Sequence, residues 1–174
     1  MGSYCNFARK RDDIHREHHD TEHGFEPKDD DDLFRRLILE ISQAGLSFET
    51  VLKKKNTIYK AFSTIESVAN FNDGDIEKLM QNPGIIRNRL KIIAAIYNAK
   101  KIKEIQKEYG SLDKWLDAHY PLKKEEWVKL FRKTFKFTGG EIVNEFMMSI
   151  GYLPGAHDEG CSVGKKLKPR FKNS

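Results

Sequence analysis

The segment Asn82-Pro83-Gly84-Ile85-Ile86-Arg87 lies between two helical patterns and settles the class of fold. Proline and glycine end the helix before it and turn the chain. A long helix is expected after it, over residues 88–109. Two helices joined by a tight apolar turn containing glycine make a hairpin. Such a hairpin turns backbone N–H groups and the next helix N-terminus outward, where unpaired amides and the helix dipole favour an anion. Arg87, Arg89 and Lys91 stand at that N-terminus. Cations there are unfavourable for the helix itself, and a nucleic-acid phosphate would offset them. The plainer alternative is an ordinary corner between helices with glycine as its stop.

Helical periodicity continues on both sides. Asp29 to Asp32 precede Leu33, Phe34, Leu37, Ile38, Ile41 and Ala44, and acids in a first turn suit the positive end of the dipole. Gly45 stops that helix. Further helices are expected over 48–54, 57–67 and 73–80. The long helix carries apolar Leu90, Ile93, Ala94, Ile96, Tyr97 and Ile102. Later helices fit 112–118, 123–134 and 139–150, the last with Ile142, Val143, Phe146 and Met147 turned inward. Residues 1–27 read as irregular, and strand alternation is nowhere sustained. The expected fold class is all-α, with residues 1–164 as one helical domain and 165–174 as a basic, disordered tail.

At 174 residues the chain is one domain's worth, and 11% aromatic residues allow a real core. No apolar run approaches the ~20 residues of a membrane span, and the polar start reads as no secretory signal. Two cysteines, Cys5 and Cys161, do not make a disulfide scaffold. A reducing cytoplasm and a monomer are expected. The net charge is +5, and the tail's Lys165, Lys166, Lys168, Arg170 and Lys172 account for it. Within the rest, charge is separated. Residues 12–32 hold ten acids against Arg16 and Lys28, whereas residues 78–103 hold seven bases and no acid. Such a basic stretch is either a solvated helix face or the footprint of a polyanion.

Two further groups carry chemistry. Cys5, His15, His18, His19 and His23 stand near one end, and His157-x3-Cys161 near the other. A set of two cysteines and two histidines could hold zinc and staple the termini together, although the spacing is not that of a zinc finger; otherwise these are separate thiols and surface histidines. Glu40 lies at the rim of the stripe formed by Leu33, Leu37, Ile41 and Ala44. A carboxylate at such an edge is usually solvated, but facing a pocket it becomes an acceptor aimed at a ligand. Phe48 could supply an aromatic wall nearby.

These signals coincide in one family. The chain resembles the Tag-type DNA-3-methyladenine glycosylase I family. The matching stretches are His19-Asp20-Thr21-Glu22-His23-Gly24, Glu40-Ile41-Ser42-Gln43-Ala44-Gly45-Leu46-Ser47-Phe48, Pro83-Gly84-Ile85-Ile86-Arg87-Asn88-Arg89-Leu90-Lys91-Ile92, Phe135-Lys136-Phe137-Thr138-Gly139 and His157-x3-Cys161. The resemblance spans residues 5 to about 161. It implies a helix-hairpin-helix glycosylase fold, with the lesion pocket between two lobes. It places a structural zinc on Cys5, His19, His157 and Cys161. The pocket carboxylate falls on Glu40 and the stacking aromatic on Phe48, with His15, His18 and Phe7 at further pocket positions. DNA would be held by Gly84, Ile85, Ile86, Arg87, Arg89 and Lys91. The implied partner is double-stranded DNA containing alkylated bases, and the implied reaction is hydrolytic release of an alkylated purine without strand cleavage. This chain departs from the family at the pocket, with Phe48 where Trp is usual, histidines at 15 and 18 where tyrosines are common, and His23 and Phe7 where Trp is common. A pocket so altered also admits a glycosylase-like protein that grips damaged DNA without freeing a base.

Overall fold

The structure, a computed structural model, describes residues 3–172. Among them are ten α-helices and no strand. The helices are α1 (Tyr4–Arg9), α2 (Ile14–Thr21), α3 (Asp30–Gln43), α4 (Phe48–Ala61), α5 (Ile65–Ala69), α6 (Asp73–Met80), α7 (Arg89–Tyr109), α8 (Leu112–His119), α9 (Lys124–Thr134) and α10 (Gly140–Ser149). Among the described residues no helix is long and apolar enough to cross a membrane.

Starts are set by side chains that satisfy first-turn amides. Ser3, Asp13, Asp29, Ser47, Thr64, Asn72, Asn88 and Ser111 each accept such an N–H, each cap being worth about 1 kcal/mol. The helix expected to begin near residue 88 therefore begins at Arg89, with Asn88 as its cap.

Helix α3 is the hub. Leu33, Phe34, Leu37, Ile38, Leu39 and Ile41 are all buried, and the helix packs on α4, α5, α7, α8 and α10. Its leading acids do more than suit the dipole. Asp29 caps α3 itself. Asp30 accepts the N–H groups of Leu112 (2.8 Å) and Asp113 (3.2 Å) and so holds the start of α8. Asp31 accepts the Ile65 N–H at 2.8 Å and holds the start of α5. Asp32 pairs with Arg36 at 3.0 Å.

Three expectations are corrected, and the apolar residues of α7 prove to be divided between core and surface. Residues 1–27 contain two helices, because the buried face of α2 is His15, His18 and His19 rather than aliphatic. The helices expected over 48–54 and 57–67 are one helix to Ala61 followed by short α5, since nothing interrupts the chain at residues 55–56. On α7 the buried side is Ile92, Ala95, Ile96, Ala99, Ile102 and Ile105, whereas Leu90, Ile93 and Tyr97 are exposed. The basic tail is ordered through Lys172, in two 3-10 turns. Arg170 explains the order: it pairs with Asp113 (2.8 Å) and Asp117 (2.9 Å) on α8 and lies 4.7 Å over the Tyr152 ring. Residues 173–174 lie outside the described residues.

Candidate active site and metal centre

Glu40 sits in the last turns of α3 and is 7% exposed. It is not solvated at the rim of the stripe. It borders a cleft of about 230 Å³ with Ala44, Gly45, Leu46, Ile142 and Glu145. Burial, then the like charges of Glu145 and Glu22, raise its carboxyl to about 8. No hydrogen bond from the described residues reaches it. A carboxyl buried without a partner is costly unless a ligand completes it.

The end of α3 is fixed by Lys91. Its Nζ donates to the carbonyls of Ser42 (3.0 Å) and Ala44 (2.6 Å). Gly45 then takes a left-handed conformation, φ 80°, and Leu46 is left exposed at the mouth of the cleft. The expectation that Lys91 meets DNA is corrected here. It is only 8% exposed, because a cation at a helix C-terminus is favourable and satisfies otherwise orphaned carbonyls.

A cluster of rings lies within electrostatic reach of Glu40. Phe48 meets His18 (centroids 5.3 Å), Tyr4 (5.8 Å) and His15 (6.1 Å), and Tyr4 meets His23 (5.3 Å). Tyr4 joins the cluster to the carboxyl: its phenol is pushed up by burial and by the charges of Asp13, Cys5 and Glu40. Sequence reasoning passed over Tyr4, although its place beside Cys5 puts it next to the first expected zinc ligand. Phe7 is the outer edge of the cluster, packed on His15 at 5.0 Å and 45% exposed.

The imidazoles are neutral. Burial holds His18 and His23 down to about 3 and lowers His15 as well. A wall without positive charge suits a cationic ring. Several ring nitrogens, His15 Nδ1 and Nε2, His18 Nε2 and His23 Nδ1, are buried without a hydrogen-bond partner. Behind the wall, Tyr59 donates to Glu22 (2.5 Å), Lys55 pairs with Glu22 (3.3 Å), and Lys55 Nζ faces His18 Nδ1 at 3.4 Å. An ammonium only donates, so His18 Nδ1 accepts and the ring hydrogen sits on Nε2.

Cys5, His19, His157 and Cys161 converge, with their donor atoms all within 4.8 Å of one another. Cys161 Sγ lies 3.6 Å from His19 Nε2 and 3.4 Å from His157 Nδ1, and Cys5 Sγ lies 3.7 Å from His157 Nδ1. The far nitrogens are also engaged: His19 Nδ1 meets Asp20 at 2.7 Å, and His157 Nε2 meets the His23 carbonyl at 2.5 Å. Two soft sulfurs and two imidazoles, each ring oriented by an oxygen partner, form a donor set suited to a tetrahedral metal.

The hairpin spans residues 81–88, between α6 and α7. Ile85 is buried, so its side chain belongs to the core and only its backbone can face a ligand. Gly84 is pressed on α4: a Cβ there would lie 2.3 Å from Thr57 Cγ2. Among the described residues, the N–H groups of Ile86 and Arg87 have no backbone partner. Arg87 is exposed and Arg89 pairs with Glu77.

Comparison with known proteins decides the family. The family model described as methyladenine glycosylase matches residues 8–129. The chain belongs to the methyladenine glycosylase family. It is accordingly a DNA glycosylase. DNA-3-methyladenine glycosylase 1 of Escherichia coli (strain K12) is 31% identical over 91% of this chain and 96% of its own length. A DNA-3-methyladenine glycosylase of Haemophilus influenzae is 40% identical over 54% of this chain and 52% of its own. Among solved structures, 3-methyladenine DNA glycosylase I from Staphylococcus aureus superposes with a TM-score of 0.81 at 29% identity, covering 96% of this chain and 100% of that one.

Lys91→Met is expected to destabilise the protein by about 1–3 kcal/mol, because two buried carbonyls lose a charged donor. Denaturant unfolding checks this. An unchanged midpoint would remove the latch from the account.

Proposed function

We propose that the protein excises 3-methyladenine from double-stranded DNA as a monofunctional hydrolase. The observation that carries this reading is the buried Glu40 carboxyl, without a hydrogen-bond partner, at a cleft, with the ring cluster of Phe48, Tyr4 and neutral imidazoles near enough for its charge to act on Tyr4. A base inside a duplex is out of reach, so the lesion must be rotated into the cleft. The methylated base is cationic in the nucleotide, which already weakens its glycosidic bond. Phe48 offers a π face to that cation, and His15 and His18 offer polar edges, with Phe7 at the rim. Glu40, as the carboxylate, accepts a hydrogen bond from the base and balances positive charge as the sugar becomes cationic. Water then bonds to C1′, and the C1′–N bond pair returns to the base, which leaves neutral. The proton of the added water passes to solvent.

The lysines near the site support hydrolysis over a Schiff base. Lys91 is committed to two carbonyls and Lys55 to Glu22. DNA would be gripped by the amides around Gly84, Ile85, Ile86 and Arg87 together with the cations of Arg87 and Arg89.

Base release from methylated DNA, followed by chromatography, tests this reading. The wild type is expected to free 3-methyladenine, and Glu40→Gln to do so about a hundredfold more slowly or worse while remaining folded. The pH dependence has a definite sign. A carboxyl raised to about 8 is protonated at neutral pH in the free protein, so release limited by free protein should climb as pH rises toward 8. Stability runs the other way. In the unfolded chain the group ionises near its ordinary value, so stability is lost as pH rises from there through about 8. Glu40→Gln should remove that loss and melt higher than the wild type at alkaline pH. Equal release by wild type and Glu40→Gln would sink the role given to the carboxylate.

The convergent Cys5, His19, His157 and Cys161 support a structural zinc. Zinc there would supply a cross-link between α1, α2 and the C-terminal segment, with no coordination position left for water. Protein purified without added metal is expected to contain about one equivalent of zinc by elemental analysis. Cys161→Ser should lose the metal and several kcal/mol of stability. Less than about half an equivalent, with both thiols freely titratable, would contradict the site.

A further inference from the structure

Phe137 is 38% exposed, and among the described residues it is the non-glycine residue with positive φ, 61°. An aromatic side chain in that region is strained, and strain persists only where neighbours impose it. Here they do so from both sides. Asn98, wholly buried on α7, accepts the Lys136 N–H at 2.8 Å and donates to the Lys136 carbonyl at 3.0 Å. The Thr138 hydroxyl donates to the Phe131 carbonyl at 3.1 Å, and Phe135 is in the core. Buried hydrogen bonds thus clamp the backbone on either side of Phe137 and turn its ring out to solvent.

The ring's position is specific. It lies 5.8 Å from Lys91 Nζ, which holds the end of α3 beside the cleft. Along α7 the exposed Leu90, Ile93 and Tyr97 continue an apolar strip toward the hairpin, and Lys136 lies 4.3 Å over Tyr97. This strip runs through the basic segment, residues 78–103, which contains no acid. Aromatic and apolar side chains set among cations match nucleic acid, whose sugars and bases are flanked by phosphates.

We propose that Phe137 is a DNA-contacting residue, its ring packed on the duplex beside the opened base pair while the lesion occupies the Glu40 cleft. This rests on the glycosylase reading above. The test uses full-length Phe137→Gly, Phe137→Asn and Phe137→Tyr. Glycine and asparagine both tolerate left-handed backbone, so they remove the ring without adding strain. Phe137→Gly and Phe137→Asn should melt no lower than the wild type. They should bind duplex DNA containing a tetrahydrofuran abasic analogue on the order of tenfold more weakly, with binding of free 3-methyladenine unchanged. Phe137→Tyr should keep the wild-type duplex affinity. Wild-type duplex affinity in both ring-less variants would overturn the proposal. Parallel loss of free-base binding would also overturn it, by placing the ring in the lesion pocket. Failure of the wild type to release any base would strike the glycosylase reading instead, and the duplex-affinity comparison would still decide the role of Phe137.

Discussion

Removing a carboxyl group from water without giving it a hydrogen-bond donor is among the more expensive things a small domain can do. Glu40 is close to that state, 7% exposed and without a hydrogen-bond donor, on the helix that packs against α4, α5, α7, α8 and α10. The cost is tolerable because α3 is held in place by far more than the site needs. Its apolar residues fill the core, its leading aspartates cap α5 and α8, and Lys91 closes its far end. Protonation in the free protein relieves that cost, which is why its pKa rises.

The surroundings then make chemical sense. Glu145 and Glu22 raise Glu40 further, so the region favours an arriving positive charge. The ring cluster within reach of its charge is phenyl, phenol and imidazole, and burial keeps the imidazoles neutral. A cationic base meets a carboxylate with π surfaces near it, and among the described residues no cation lines the cleft. Lys91 and Lys55 are nearby, but each is tied to oxygens of its own. The replacement of bulkier aromatics by histidines therefore changes the wall from stacking alone to stacking plus hydrogen bonding, and leaves its charge unchanged.

Long, strongly periodic elements were legible in the sequence, and α3, α7, α9 and α10 lie close to where the pattern puts them. The four Cys and His residues converge as the family resemblance implies. What was missed has a common cause. Helix α2 buries histidines, so a pattern of aliphatic residues does not reveal it. Lys91 looks like a phosphate ligand from its neighbours in sequence, yet its partners are 47 and 49 residues away. The aspartates at 30 and 31 look like dipole complements and are caps for other helices. Nothing local marks Phe137 as left-handed, since the clamp on it comes from Asn98 on α7. Contacts distant in sequence decide each of these.

The claim on which the rest turns is that Glu40 waits protonated and becomes a carboxylate when the lesion base arrives and donates a hydrogen bond to it. The most direct measurement is the titration of its side-chain carboxyl by carbon-13 NMR, assigned with Glu40→Gln, with and without 3-methyladenine bound. The account requires a midpoint near 8 in the free protein and a lower one in the complex. A midpoint in the ordinary carboxylate range in the free protein, or one that does not move when base binds, would contradict it.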